Sequence, residues 1–318
     1  MLGNGSRGCQ TRRGGGRGRR ARVILIGMAD APPAGRLEWL LLDGSSLIFR
    51  AFFGVPKTIV SPAGAPVNAV RGFLDYLSRF IAEMRPANLL VASDDDWRPK
   101  FRVDAIPGYK SHRVAEPIPP ELAPQMPVID DVLAALGIAR VGVPGFEAED
   151  VIASMLRHTT GRVDIISGDR DLFDLVRDPD IRVLYPARKG ALDVIDEAAI
   201  ERKYGIPGRA YGAFAILRGD PSDGLPGLPG IGEKTAAQLV RKHGDLDGLL
   251  RDGHLRAADR AYLEQAMKVV LPVRDIPLPA PSAAVPTVPA AAARLEALKQ
   301  EFGLGGAVDR LLRVLAQS

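Results

Sequence analysis

Residues 143–154 read V-P-G-F-E-A-E-D-V-I-A-S, and residues 163–172 read V-D-I-I-S-G-D-R-D-L. In the first string and just beyond it, apolar residues fall at 146, 151, 152, 155 and 156, the spacing of one helix face. Glu147 and Asp150 lie three apart on the first turn, where carboxylates also favour the helix dipole. The second string opens on a short β-branched run, 163–166, that reads as a buried strand. Asp169 and Asp171 follow just past its carboxyl end, where open α/β sheets carry their sites. An E-x-E-D at a helix start is commonly plain capping, and a D-x-D after a strand is commonly a turn. Together they crowd Glu147, Glu149, Asp150, Asp169 and Asp171 into one place, and such charges repel unless cations neutralise them. Hard oxygen donors with no Cys or His beside them point to Mg²⁺ or Mn²⁺.

Working outward, residues 37–42 form an apolar run that stops at Asp43-Gly44-Ser45-Ser46, a buried strand with an acid at its end. Arg50, Phe52 and Phe53 follow on a helix. Residues 67–82 carry helical periodicity through Val70, Phe73, Leu74, Leu77 and Ile81. A second strand, 88–92, runs into Asp94-Asp95-Asp96. Three strands that end in acid, separated by helices, predict an α/β fold: a doubly wound, mostly parallel sheet whose acids converge at one rim. Helices over 125–136 and 148–156 and a strand over 181–184 complete this part.

Between residues 97 and 127 the pattern changes. Over 97–113, Arg98, Lys100, Arg102, Lys110 and Arg113 stand against the single Asp104, with Phe101 and Tyr109 between them. Loops this long are functional or disordered, and bases mixed with aromatic rings suit a nucleic-acid strand. A solvated surface loop is the plain alternative. From Tyr204 a helical region leads into L-R-G-D-P-S-D-G-L-P-G-L-P-G-I-G-E-K-T-A-A-Q-L-V. Asp220 and Asp223 are again three apart. The Gly230-Ile231-Gly232 turn opens a helix and aims backbone N–H groups at one point, which suits a phosphate; helix–turn–helix packing without a ligand is the alternative. Residues 277–289 read as extended, and helices over 295–302 and 308–315 follow.

The 318 residues suit one large or two modest domains, and a 46% apolar fraction supports a proper core. Residues 1–35 hold seven Arg and one Asp, leaving 35 basic and 37 acidic residues elsewhere. The net charge of +4 therefore belongs to that Arg/Gly-rich tail, and the body is slightly acidic. The tail reads as disordered, its R-R-G-G-G-R-G-R-R run a weak nucleic-acid contact, and Met28 offers an alternative start. Cys9 is the one cysteine, which excludes a disulfide framework and fits a reducing cytoplasm. The four histidines are scattered, and no apolar run approaches the roughly 20 residues of a membrane span.

In this order, the strings L-L-L-D-G-S-S-L-I-F-R, F-R-V-D-A-I-P-G-Y-K-S-H-R, G-F-E-A-E-D-V-I-A-S, S-G-D-R-D-L and G-D-P-S-D-G-L-P-G-L-P-G-I-G-E-K-T-A resemble the 5′-nuclease family. These are flap endonucleases and 5′–3′ exonucleases, such as the front domain of bacterial DNA polymerase I. The resemblance covers about residues 37–300 and implies a PIN/resolvase-like nuclease core over 36–205, with an arch at 97–127. It places a helix–three-turn–helix DNA-binding region and C-terminal helices in 206–318. The family's metal acids fall on Asp43, Asp94, Glu147, Glu149, Asp150, Asp169, Asp171, Asp220 and Asp223. Lys110 and Arg113 take the positions of cations on the scissile phosphate, with Arg50 and Arg102 as further basic positions. Tyr109 takes the position of a base-stacking ring, and Arg98 and Lys100 that of arch contacts. Gly230, Ile231, Gly232, Lys234 and Thr235 correspond to the duplex-gripping hairpin, which often holds a K⁺.

The resemblance thus implies a stand-alone, monomeric enzyme of the bacterial cytoplasm, working at the nucleoid on DNA with 5′ single-stranded flaps or ends and on RNA primers. Phosphodiester hydrolysis would use two or more Mg²⁺ or Mn²⁺ ions, which together can activate water and relieve the leaving oxygen. Ser167 lacks a His–acid pair, so a covalent route is not expected. Glu149 stands where many members have Asp, Gly224 where Asn is usual, and Asp95 and Asp96 have no assigned role. A structure-selective ribonuclease and a DNA-binding module with vestigial acids are the competing readings.

Overall fold

The computed structural model describes residues 37–114, 118–251, 255–278 and 282–317. The basic tail, with its expected disorder and nucleic-acid contact, lies outside the described residues, as do positions 115–117 of the arch.

Six strands form one sheet in the order β3-β2-β1-β4-β5-β6. They are β1 (Trp39–Asp43), β2 (Asn88–Ala92), β3 (Ala139–Val141), β4 (Val163–Ile166), β5 (Ile181–Pro186) and β6 (Leu192–Ile195). All neighbours are parallel except β5 and β6, which pair antiparallel. Because side chains alternate along a strand, β1 sends Leu41 to one face of the sheet and Leu40 and Leu42 to the other. Both faces are covered, which is why these strands read as continuous apolar runs.

One face is packed by α1 (Gly44–Gly54), α2 (Asn68–Met84) and α4 (Gln125–Leu136). The other is packed by α5 (Ala148–Met155), α7 (Tyr211–Arg218), α8 (Glu233–His243) and α10 (Ala257–Val270). Short helices α3 (Lys100–Ala105), α6 (Glu197–Tyr204) and α9 (Leu246–Leu250) lie between them. The C-terminal helices α11 (Ala292–Phe302) and α12 (Gly305–Leu315), expected with the helical region, join the α1–α2–α4 face. The chain returns there as an added strand segment: Leu89 N–H donates to Ala283 O at 2.7 Å and Val285 N–H to Ala87 O at 3.0 Å. Among the described residues, no helix is long and apolar enough to cross a membrane.

Sequence and structure differ in two strands. β3 and β6 have three and four residues, and most of their positions are not buried, so neither carries a readable apolar run. The 97–127 stretch differs too: instead of an open loop it holds α3 and a 3₁₀ turn over Ser111–Val114.

Candidate active site

The acids reach one rim because each ends a neighbouring strand. Asp43 is the last residue of β1 and caps α1, accepting from Ser46 N–H at 3.0 Å and from the Ser167 hydroxyl at 2.6 Å. Asp94 lies two residues past β2 and accepts from Ala148 N–H, in the first turn of α5, at 2.7 Å. Asp169 lies three residues past β4, and Asp171 N–H donates to it at 2.9 Å. The rim sits where the winding reverses between β1 and β4, the usual place for a site in such sheets.

Asp220 and Asp223 come from the loop after α7. Asp220 accepts from Ser222 N–H at 2.9 Å, and Asp223 receives Arg113 Nη2 at 2.8 Å. The loop is clamped to the arch by Lys110 N–H, which donates to Asp223 O at 3.0 Å. Lys110 holds a left-handed φ of 46°, rare for a residue with a side chain and found where surroundings over-determine the backbone. Gly224 explains the departure from the usual Asn. A Cβ there would lie 2.1 Å from Gly108 O, so only glycine lets the two segments touch.

The site is short of positive charge. Burial pushes the Asp43 carboxyl up from 3.8 to about 7, aided by Asp94 and then Asp169. Burial also lifts Asp171 and Glu149 well above the carboxylate range, and lifts Glu147 and Asp223. After burial, the charge of Asp169 adds to the rise of Asp43, Glu149, Asp171 and Asp223. Burial opposes the charge on Lys110, but Glu149, Glu147 and Asp223 more than offset it.

Glu147 takes Lys110 Nζ on one oxygen, and Arg102 Nη1 and the Tyr109 hydroxyl on the other, the last at 2.7 Å. Arg102 Nη2 approaches Glu149 Oε1 to 2.8 Å, yet its N–H bond is directed at Asp150. Glu149 Oε1 is thus buried with a cation nearby and no hydrogen-bond donor. Among the described residues, no three carboxylates stand in a ready-made coordination shell. The donor chemistry nevertheless fits a hard divalent cation: oxygen only, crowded, and including one orphaned buried oxygen.

Several residues sit elsewhere than expected. Asp150 is 0% exposed. Its oxygens accept from Arg102 at 2.7 and 3.0 Å, from Val273 N–H at 2.8 Å and from Glu147 N–H at 3.2 Å, which leaves no room for an ion. Arg102, also 0% exposed, additionally donates to Val269 O at 3.0 Å, so it bolts α3, α5 and α10 together and cannot meet a phosphate. Tyr109 is 2% exposed and offers no face to a base. Arg98 donates to Tyr109 O at 2.6 Å and Pro107 O at 3.0 Å, so it holds the turn. Lys100 is out in solvent, paired with Asp104 on its own helix. Of the other basic residues, Lys110 and Arg113 join Arg102 on the acids, while Arg50 lies at the edge, near Gly168.

The hairpin stands clear of other atoms. Gly230 has φ 75° and Gly232 caps α8 in extended conformation; a Cβ at either would meet nothing within 4 Å. Ile231 is part-buried against the core, and Lys234 is exposed with Thr235 beside it. Three serines went unnoticed in the sequence as parts of the rim. Ser46 and Ser167 orient Asp43, and Ser45 Oγ accepts from Asp94 N–H at 3.1 Å.

A parallel sheet whose strand ends carry this rim of acids, with a glycine hairpin opening a helix, is the layout of a resolvase-like nuclease. Residues 38–205 match the model of the 5′-3′ exonuclease N-terminal resolvase-like domain, and residues 206–276 match that of the 5′-3′ exonuclease C-terminal SAM fold. A 5′-3′ exonuclease of Streptomyces coelicolor is 50% identical over 299 residues, covering 87% of this chain and 99% of that protein. A DNA polymerase I of Mycobacterium bovis is 40% identical over 271 residues, covering 80% of this chain and 29% of the polymerase. Among solved structures, the bacteriophage T5 flap endonuclease, in a pseudo-enzyme–product complex with DNA and metal ions, aligns with a TM-score of 0.58. It is 17% identical, over 88% of this chain and 100% of that one. The chain belongs to the 5′–3′ exonuclease family.

Proposed function

We propose that this chain is a divalent-metal-dependent 5′–3′ exonuclease and flap endonuclease. It hydrolyses DNA phosphodiester bonds near 5′ ends, in primer removal and repair. The observation that carries this reading is the rim of crowded, oxygen-only carboxylates at neighbouring strand ends, with Glu149 Oε1 buried and lacking a hydrogen-bond donor. Asp43, Asp94, Glu147, Glu149, Asp169 and Asp171, with Asp220 and Asp223 across from them, would hold the ions. Mg²⁺ or Mn²⁺ bound there supplies charge neutralisation and a more acidic water. The chain's own cations do the rest. Lys110 and Arg113, now paired with Glu147 and Asp223, are poised to exchange those carboxylates for a phosphate as it enters. The open Gly230–Gly232 turn, with α8 behind it, would hold duplex backbone through its N–H groups. The T5 enzyme's complex with DNA and metal ions is a precedent on the same fold.

The test is a 5′-labelled flap substrate incubated with Mg²⁺, Mn²⁺ or EDTA. Release of the labelled end with either metal and none in EDTA is expected. Cleavage that persists in EDTA, or none under any condition, refutes the reading.

A further inference from the structure

A cavity of about 360 Å³ opens between α1, α2 and the β5–β6 turn, to one side of the acid cluster. Arg50, Arg79 and Arg188 line it, one from each of these elements. Arg79 is fixed in place: Nη1 donates to Gly190 O at 2.6 Å, and the guanidinium lies 4.7 Å from the Phe80 ring centre. Its Nε is buried with no hydrogen-bond partner, and Glu83 comes only to 3.9 Å, beyond hydrogen-bond reach. Arg188 is exposed, and its guanidinium has no hydrogen bond or ion pair among the described residues. Tyr76, stacked on Phe80 at 5.8 Å and 9°, adds an apolar wall.

Arg50 joins this cavity to the rim. Its Nη2 lies 3.4 Å from Pro186 O, and 3.7 Å from where a Cβ would stand at Gly168, the neighbour of Asp169. Seven residues of α1 separate Asp43 from Arg50, about 10 Å at 1.5 Å per residue. At 3.4 Å of rise per nucleotide, that is about three steps along a DNA strand.

A rim crowded with acids repels DNA, so the grip on the backbone must come from beside it. We propose that the Arg50–Arg79–Arg188 cavity is a second backbone site, taking the phosphate and sugar of a nucleotide about three steps from the one at the acids. This rests on the nuclease reading above. Guanidinium groups suit phosphate because they donate two parallel hydrogen bonds. The volume lies at the small end of the roughly 300–1,000 Å³ of ligand pockets, enough for one nucleotide.

Flap-DNA binding by the full chain, measured by fluorescence anisotropy in EDTA over a salt series, tests the site apart from chemistry. Arg188→Ala should weaken binding and flatten the log K against log salt slope by about one. Arg188→Lys should restore the slope, and Arg188→Glu should weaken binding further. In Mg²⁺, Arg188→Ala should raise KM more than it lowers kcat. An unchanged melting midpoint shows that the variants are folded. Parent affinity and slope in both Arg188→Ala and Arg188→Glu would overturn the proposal, while cleavage by the parent would leave the nuclease reading intact. Binding of free deoxyadenosine 5′-monophosphate that vanishes in Arg188→Ala, with an unchanged DNA slope, would also overturn it, because the cavity would then hold free nucleotide. A flattened slope with a parent that cleaves nothing would sink the nuclease reading and keep the site.

Discussion

Asp43→Asn isolates the shortage of positive charge at the rim. The carboxyl is 7% exposed and pushed from 3.8 to about 7, first by burial and then by Asp94. An acid whose folded pKa is raised contributes stability below its unfolded value, and that stability is lost as pH rises through the folded value. The window for Asp43 therefore runs from about pH 4 to pH 7. At 1.36 kcal/mol per pH unit, the rise corresponds to about 4 kcal/mol of strain once the group is ionised. Asparagine keeps an acceptor for Ser46 N–H, but its weaker hydrogen bonds give back about 1 kcal/mol at each of its two contacts. In EDTA at pH 8 the variant should thus be about 2–4 kcal/mol more stable than the parent, or roughly 4–8 °C higher in Tm. The difference should vanish below pH 4, and Mg²⁺ should raise the parent's Tm at pH 8 more than the variant's. Calorimetry across pH, with and without Mg²⁺, reads all three. A variant less stable than the parent in EDTA at pH 8 would refute the reasoning, because Asp43 would then be compensated by its surroundings.

Lys110→Ala should slow cleavage of bound flap by about 10²–10³-fold, while Lys100→Ala, in solvent on α3, changes it by about twofold at most; equal slowing in single-turnover assays would mean the arch acts through diffuse charge. Asp169→Asn should abolish cleavage and weaken Mn²⁺ binding, with DNA affinity intact or slightly tighter. Asp150→Asn should keep the Mn²⁺ stoichiometry and lower stability by about 1–3 kcal/mol, since it weakens the hydrogen bonds of buried Arg102 while leaving it Glu147 and Glu149; a folded Asp150→Asn protein that has lost a Mn²⁺ site in titration calorimetry contradicts the saturated geometry. At the hairpin, Gly230→Ala should cost about 1–2 kcal/mol through its positive φ. Gly232→Ala should melt like the parent, and Gly232→Asp should weaken duplex binding by charge alone. Wild-type duplex affinity in a folded Gly232→Asp protein would move the grip elsewhere.

What the sequence determined by itself was the framework of the fold and the kinds of residue at its rim. Strands 88–92 and 163–166 and helix 125–136 lie where apolar runs and periodicity place them, because two-sided burial and one-sided burial leave different patterns. Acids just past buried strands are legible for the same local reason. β3 and β6 were not, since short, half-exposed strands are specified by their partners and not by their own residues. Only the tertiary structure decided which charges face the rim. Glu147 and Asp150 are three apart, yet one meets Lys110 and the other is sealed behind Arg102. Arg102, Tyr109, Lys110 and Arg113 lie in one basic stretch, but Arg102, Tyr109 and Lys110 are buried against Glu147 while Arg113 reaches Asp223 from a more exposed position. No spacing in the chain records that difference. A charge's role depends on its distance from other charges and from water, and residues as far apart in sequence as Arg102 and Val269 set those distances.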